Sequence, residues 1–402
     1  MRASCPEPAV TAPDPSPLNP ARLILILALA PTIGLGIGRF AYSLVLPDMR
    51  DTLQWSYSAA GFMNTINAAG YLAGALIAAK LANRYGLLAL VKAGTLMAIV
   101  ALALCAVSAN FVVLSAGRLL AGFGAALSFV AGGALAATIA QTQPARSGFL
   151  LSLFYAGPGL GILTSGLIAP FLLAGFGTGS WWIVWLAMTA LSLAIVAPLL
   201  LVRVAAQAML PQAGDAGFHA APVARYLAGY FLFGIGYIAY MTFMIAYVRD
   251  AGGGAVAQSG FWSLIGLSAF ASPWVWRGVL ARSRTGGATA IILGFNALGA
   301  ALPLLGHGPL LLGISAVVFG TSFFAVVAST TAFVRVNYPQ SAWPAAIAVM
   351  TVVFGVGQTL GPIAIGAITD ATGSLDSALL ASAAMLGLGA LLAWSQRPLQ
   401  QI

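Results

Sequence analysis

The sequence GIGRFAY at residues 36–42 returns 198 residues later as GIGYIAY at residues 234–240. Three further pairs of segments keep this order and nearly this spacing: Arg50-Asp51 with Arg249-Asp250, Gly61-Phe62 with Gly260-Phe261, and Gly157-Pro158 with Gly361-Pro362. One match alone would be chance, but four in order indicate a duplication. The chain therefore consists of two halves that repeat one unit in the same direction.

The composition indicates that this repeated unit lies in a membrane. Hydrophobic residues make up 60% of the 402 residues and charged residues only 6%, whereas soluble domains carry roughly 25% charged residues. A spanning helix needs about 20 apolar residues, and a membrane barrel would show alternating rather than continuous apolar runs. Since lipid offers no partner to backbone N–H and C=O groups, the apolar runs are predicted to be helices.

Twelve transmembrane helices are predicted, six in each half. Their expected spans are residues 22–47, 57–80, 87–108, 111–139, 148–174, 181–202, 224–248, 258–281, 287–305, 309–335, 342–369 and 377–395. The predicted organisation is a disordered cytoplasmic tail at 1–21, an N-terminal half at 22–202, a cytoplasmic linker at 203–223, a C-terminal half at 224–396 and a tail at 397–402. We expect an all-α membrane fold of two parallel six-helix pseudo-repeats, with substrate between them near the middle of the membrane.

The basic residues predict the orientation. With the N-terminus inside, only Arg50 and Arg249 fall in outer loops, and thirteen Lys and Arg residues fall in cytoplasmic segments: Arg2, Arg22, Lys80, Arg84, Lys92, Arg146, Arg203, Arg225, Arg277, Arg282, Arg284, Arg335 and Arg397. This asymmetry predicts cytoplasmic N- and C-termini in a bacterial-type inner membrane. The net charge of +9 is scattered over many loops, so it indicates orientation rather than a nucleic-acid partner.

Several motifs resemble those of the major facilitator superfamily. The loop after span two reads AKLANRYG at residues 79–86 and resembles the G-x-L-A-D-R-x-G-R-R motif of that family. Arg84 and Gly86 match it, whereas Asn83 stands where the family usually has Asp. In the family this loop helps to lock one conformation by charge pairing. The resemblance therefore implies gating residues here, with a weaker lock.

The spans that follow extend the resemblance. Residues 118–126, RLLAGFGAA, fit the R-x-x-x-G-x-G motif of span four, whose glycines allow a neighbouring helix to approach closely. Residues 157–161, GPGLG, resemble the span-five motif associated with antiporters, although Ile162 stands where a second Gly is usual. We expect conformational roles for Gly157, Pro158 and Gly161 and for their repeat counterparts, Gly361 and Pro362.

The start of the chain resembles one branch of the superfamily. The segment Gly36-x-Gly38-Arg39-Phe40-x-Tyr42, followed by Pro47 and Met49, looks like the YbfB/YjiJ-like branch. This branch implies a transporter but brings no agreed substrate. Within the fold, span five favours export by an antiporter. The alternatives are a symporter that takes up an organic acid, a drug-type exporter, and a lipid flippase.

Two arginines, Arg39 and Arg118, fall inside predicted spans that contain no Asp or Glu. An arginine at the membrane centre costs roughly 2.5–3.5 kcal/mol, and it does not lose its proton to escape this cost. In the superfamily, spans one and four both face the central cavity. A substrate carboxylate or phosphate would compensate the charge by forked hydrogen bonds, as would helix-end carbonyls or cavity water. We favour the substrate role for Arg39 and a structural or coupling role for Arg118.

Polar residues at similar depth are the other candidate substrate ligands. They are Tyr42, Asn64, Asn67, Tyr237, Tyr240 and Gln358. Each one either binds ligand or joins helices by hydrogen bonds.

Proton coupling has one candidate in the sequence. Proton relays in membranes usually use Asp, Glu or His, and both histidines, His219 and His307, are predicted in loops. Asp48, at the outer end of span one, is the only carboxylate near the helix face of Arg39. If Asp48 does not couple transport to protons, the substrate carries its own proton or exchanges against a counter-anion.

The predicted function is secondary active transport of a small organic, anionic solute by alternating access. The embedded part of the chain offers no nucleophile with a base and no HExxH motif, which argues against an enzyme. We expect no cofactor, no metal site and no nucleic-acid partner. The expected surroundings are a small-molecule substrate and the lipid bilayer, with a monomer as the working unit.

Overall fold

The computed structural model describes residues 19–204 and 219–399. These ranges are almost entirely helical. Most of the predicted N-terminal tail, residues 1–21, most of the predicted linker, residues 203–223, and half of the predicted C-terminal tail, residues 397–402, lie outside them. The twelve main helices of the described ranges are α1 Pro20–Leu53, α2 Tyr57–Tyr85, α3 Leu87–Val107, α4 Phe111–Gln141, α5 Pro144–Phe176, α6 Trp181–Leu201, α7 Ala221–Asp250, α8 Ala255–Val275, α9 Gly287–Leu305, α10 Pro309–Asn337, α11 Gln340–Thr372 and α12 Leu375–Trp394.

The predicted number of spans agrees with these helices. Eleven of the helices are long and apolar enough to cross a membrane. The remaining one, α8, has 21 residues and is followed by Trp276 and then by a short helix, Arg277–Leu280. Predicted span eight therefore ends earlier than residue 281. The chain is a multi-pass membrane protein with an all-α fold.

Local sequence explains where these helices begin and end. The side chains of Ser56 and Asn110 accept hydrogen bonds from the first free N–H groups of α2 and α4, as N-capping residues do. Helices α2 and α11 end at Gly86 and Gly373, whose φ angles are +87° and +70°. Only glycine adopts such angles without steric cost.

Helix α1 is not one continuous α-helix, in contrast to the span predicted from sequence. An α-helix Pro20–Pro31 passes into a π-helical segment Thr32–Ile37, then a turn at residues 38–41, and then an α-helix Tyr42–Leu53. Glycine makes this geometry possible, because a Cβ atom on Gly36 would lie 2.5 Å from the Cα of Gly161 in α5. Such π segments often occur at functional sites.

Helices α1 and α7 form the centre of the bundle, and most of their side chains are buried. Around them α2 packs on α11 and α5 packs on α8, which joins the two halves. These contacts are close. Gly61 of α2 lies against the carbonyl of Pro362, and a Cβ atom added to Gly159 of α5 would lie 2.5 Å from the backbone N of Phe270. Helices α3, α6, α9 and α12 expose leucine and valine side chains at the periphery, where lipid would cover them. We call the end that carries residues 50–58 and 370–375 the outer end.

Candidate functional site

Arg39 lies in the turn that interrupts α1 and contacts two helices of the other half. Its Nη2 donates to the hydroxyl of Tyr237 in α7 at 3.2 Å and to Oε1 of Gln358 in α11 at 2.7 Å. The Tyr237 hydroxyl also donates to Oε1 of Gln358 at 2.9 Å. Three residues named from the sequence therefore form one closed network between the halves.

This network contains hydrogen-bond donors without an acceptor. Arg39 is 4% exposed and Gln358 is fully buried, yet Nε of Arg39 and Nε2 of Gln358 have no hydrogen-bond partner among the described residues. A buried donor left unpaired costs about 1–3 kcal/mol. The ion pairs within the described ranges all join Arg50, Asp51, Arg249 and Asp250 at the outer end. The centre thus carries positive charge and free donors, and no carboxylate is paired with them.

Arg118, by contrast, has at least one oxygen partner for each nitrogen of its guanidinium. Its guanidinium donates to the carbonyls of Gly38 at 2.6 Å, Arg39 at 3.2 Å and Met63 at 3.4 Å, and to Oδ1 of Asn64 at 2.8 Å. The Arg39 carbonyl is available because the N–H of Ser43 donates to Phe40 instead. The break in α1 therefore exposes carbonyl oxygens, and Arg118 satisfies them. This geometry favours a structural role.

The other predicted ligands mostly join helices. The amide of Asn64 donates to Thr242 of α7 at 2.8 Å, and the amide of Asn67 donates to the Arg118 carbonyl at 2.9 Å. The hydroxyl of Tyr42 donates to the Ala60 carbonyl at 2.7 Å. Tyr240 hydrogen-bonds Ser315 at 2.6 Å and stacks on Phe319. None of these contacts reaches the Arg39 guanidinium.

Aromatic rings surround the Arg39 network on its inner side. The guanidinium carbon of Arg39 lies 5.4 Å from the ring centroid of Tyr71 in α2. Phe354, one helical turn before Gln358, stacks nearly parallel to Tyr237, Phe233 and Tyr230, with centroids 5.2–5.5 Å apart. Sequence reasoning missed Tyr71 and Phe354. The i, i+4 spacing of Phe354 and Gln358 was the available signal, since it puts both on one face of α11.

The carboxylate of Asp48 contacts backbone rather than Arg39. Its Oδ1 accepts from the N–H of Gly179 at 2.8 Å, and its Oδ2 accepts from the N–H of Trp181 at 2.9 Å. These N–H groups lie at the start of α6, where helical donors lack partners. The geometry is that of a helix cap supplied from α1, and a coupling role for Asp48 stays a prediction.

A polar clasp closes the outer end between the halves. The carboxylate of Asp370 in α11 accepts from the backbone N–H groups of Tyr57 at 2.7 Å and Ser58 at 2.9 Å, and from the Ser58 hydroxyl. Beside it, Arg249 of α7 pairs with Asp51 of α1 at 2.9 Å. The clasp therefore holds both central helices and the α2–α11 pair together at this end.

The predicted conformational residues lie at helix contacts and helix ends. Gly161 lies against the Thr32 carbonyl, and the Gly157 carbonyl accepts from the Thr32 hydroxyl at 2.9 Å. Helix α5 is interrupted directly before Gly157 and Pro158.

Gly361 packs on Ile235 of α7. Pro362 cannot donate to the carbonyl of Gln358, because proline has no N–H. Asn83 and Arg84 fall in the last turn of α2, and Gly86 terminates that helix.

Comparison with known proteins agrees with this arrangement. A family model described as "Uncharacterised MFS-type transporter YbfB" matches residues 31–394. The crystal structure of the nucleoside transporter NupG, in a mutant form, is similar with a TM-score of 0.69 and 14% sequence identity, covering 94% of this chain and 98% of that chain.

The crystal structure of a bacterial homolog of the human lysosomal transporter Spinster, inward-facing and unoccupied, has a TM-score of 0.70 and 14% identity, covering 95% and 97%. No curated protein matches the sequence. At such low identity the two structures establish the fold only.

Proposed function

Because this chain belongs to the YbfB-type family of major facilitator transporters, we propose that it carries a small organic anion across the membrane by alternating access, with Arg39 as the anion ligand. The site lies between two parallel six-helix halves, where transporters of repeated architecture bind their substrates. Arg39 comes from the first half, and Tyr237 and Gln358 come from the second. A ligand bound there touches both halves and responds to their relative movement.

One observation carries this proposal: the buried Nε of Arg39 and the buried Nε2 of Gln358 are both donors without an acceptor. A carboxylate or phosphate oxygen would accept from both, and its negative charge would offset the guanidinium. Charge-assisted hydrogen bonds of this kind are worth roughly 1.5–3 kcal/mol. A cationic or purely apolar substrate would leave both donors unpaired and the charge uncompensated.

The outer clasp indicates the direction from which the site is reached in this conformation. Since Asp370 and Arg249 join the halves at the outer end, the anion would enter from the opposite end. With N- and C-termini in the cytoplasm of a bacterial-type inner membrane, that end is cytoplasmic. Loading from the cytoplasm and the Gly157-Pro158 segment of α5 both favour export.

We propose that transport is coupled through the charge or the proton of the substrate itself, and not through a carboxylate of the protein. Within the described residues, the Asp48 carboxylate accepts hydrogen bonds from the N–H groups of Gly179 and Trp181 and forms no ion pair with Arg39. We therefore propose exchange against another anion, or movement of the substrate together with its own proton, in a monomeric transporter. Proton relay through Asp48 is the alternative.

The proposal is tested by the melting temperature of the purified protein with a panel of small anions, neutral solutes and organic cations. A ligand at about a hundred times its Kd stabilises the folded state by about 2.7 kcal/mol. We expect only anions to raise the melting temperature and Arg39→Gln to abolish the shift. Arg225→Gln, which removes the same charge from an exposed position, should respond as wild type. Stabilisation by cations, equal in all three proteins, would overturn the proposal and favour a drug-type exporter.

A further inference from the structure

The rings around Arg39 point to a narrower substrate class than small anions in general. We propose that the site selects monocarboxylates that carry a planar aromatic ring, with the carboxylate at Arg39 and Gln358 and the ring between Phe354 and Tyr71. This inference rests on the proposed function, because it assumes that an anion binds at Arg39.

The first argument is the position of the rings relative to the free donors. Phe354 lies one turn from Gln358 on the same face of α11, and Tyr71 lies against the guanidinium of Arg39 at 5.4 Å. Both rings are only partly buried, in contrast to Arg39, Tyr237 and Gln358. Phe354 and Tyr71 are therefore partly exposed aromatic residues beside the unpaired donors of Gln358 and Arg39.

The second argument is the order of rings along the inner side of the site. Tyr237, Phe233 and Tyr230 are spaced along α7 toward its inner end, and all three lie within 20° of parallel to Phe354. Parallel-offset packing is a preferred arrangement of aromatic pairs and adds stabilisation beyond the burial of area. Tyr237, Phe233 and Tyr230 are buried, so a planar ring that enters from the inner end would meet Phe354, the partly exposed member of this stack.

The third argument is the amount of charge. Two cationic side chains are buried in the centre, and Arg118 already has four oxygen partners. Of these two arginines, Arg39 is the one with a guanidinium nitrogen that has no partner among the described residues. The positive charge of Arg39 offsets the negative charge of one carboxylate. A second negative charge on the substrate would be buried without compensation, which is costly. Dicarboxylates are thereby disfavoured.

The ligands that test this inference are matched in size. Benzoate and cyclohexanecarboxylate carry the same charge and six-membered rings, but only benzoate has a π face. Cyclohexanecarboxylate is the more apolar of the two, so burial of area alone would favour it. We expect calorimetric titration of the full-length protein in detergent to give a Kd for benzoate about tenfold lower. Benzyl alcohol, which has the ring without the charge, should bind far more weakly than benzoate.

The variants that test this inference distinguish the loss of an aromatic ring from a loss of folding. In Phe354→Leu and Tyr71→Leu the preference for benzoate should fall to about twofold or less, whereas Tyr71→Phe should keep it. Phe171→Leu removes a ring that is 48% exposed on α5, and should keep the wild-type preference. Retention in Tyr71→Phe shows that a loss in Tyr71→Leu comes from the ring and not from misfolding.

Failure of this inference differs from failure of the proposed function. If benzoate and cyclohexanecarboxylate bind equally well and both lose affinity in Arg39→Gln, the anion site stands and aromatic selection is wrong. If benzyl alcohol binds as tightly as benzoate and Arg39→Gln changes neither, both proposals are wrong. Absence of binding by all three compounds would also overturn the aromatic inference.

Discussion

Arg39 and Tyr237 occupy matching positions of the two sequence repeats, and the guanidinium of one donates to the hydroxyl of the other at 3.2 Å. The duplication thus places two copies of one position face to face, and only the first copy carries charge. Because Gln358 accepts from both side chains, the three residues form a single unit. The charge of the site comes from one half, and its positioning comes from the other.

The hydroxyl of Tyr237 should position Arg39 rather than fill space. In Tyr237→Phe the ring remains, but among the described residues the Arg39 guanidinium keeps only Gln358 as a hydrogen-bond partner. We expect the Kd for benzoate to rise about three- to tenfold, since a hydrogen bond contributes roughly 0.5–1.5 kcal/mol. Tyr240→Phe is the matched control, because its hydroxyl bonds Ser315 instead. Equal effects of the two variants in calorimetric titration would contradict this role.

Arg118 should matter for stability more than for ligand binding. Arg118→Gln would leave buried carbonyls of Gly38 and Arg39 unpaired, at about 1–3 kcal/mol each. We expect the free energy of unfolding, measured by denaturant titration in mixed micelles, to drop by about 3 kcal/mol, with a smaller loss in Arg118→Lys. A protein that unfolds like wild type but no longer binds anions would show instead that Arg118 contacts substrate.

The carboxylate of Asp48 should act as a helix cap. Asp48→Ala is expected to lower the free energy of unfolding by about 1 kcal/mol, and Asp48→Asn by less, because asparagine also caps helices. Uptake into proteoliposomes should keep its pH dependence in Asp48→Asn. An Asp48→Asn protein that folds normally but loses all response to a proton gradient would establish the coupling role instead.

The clasp at Asp370 should hold the outer end shut. Asp370→Asn removes the charge that faces the N-terminus of α2, a contact worth roughly 0.3–1 kcal/mol at an exposed position. We expect the outward-open population to rise about two- to fivefold.

Spin-label distances between cysteines placed at Gln54 and Ala371, in a background lacking Cys5 and Cys105, would report this change. Asp376→Asn serves as control, since that carboxylate bonds Ser374 within its own half. The same shift in both variants would argue against a specific latch.

The sequence was sufficient to predict the helices and the repeat, because continuous apolar runs and ordered repeat matches depend only on local composition. It also selected Arg39, Tyr237 and Gln358 as separate candidates. It did not predict that they meet, since helices that are apolar on all sides carry no signal of rotation. The contact between Asp370 and Ser58 was missed for a similar reason: it joins positions 312 residues apart, and neither has a distinctive motif.

The break in α1 shows a second limit of sequence reasoning. The apolar run predicted one continuous span here, but the π-helical segment depends on α5 lying against Gly36 and on Arg118 satisfying the released carbonyls. For Arg118 the sequence favoured a structural or coupling role over a substrate role, and which of these applies stays a prediction. Three of its four oxygen partners are backbone carbonyls, and their availability follows from tertiary structure alone.

Counterflow of radiolabelled benzoate tests most directly whether Arg39 binds a transported anion. Proteoliposomes preloaded with unlabelled benzoate would be diluted into labelled benzoate, with wild type, Arg39→Gln and Arg225→Gln compared at equal protein content. We expect transient accumulation of label with wild type and Arg225→Gln, and only the level of protein-free liposomes with Arg39→Gln. Equal accumulation with Arg39→Gln and wild type would contradict the assignment of Arg39 as the anion ligand.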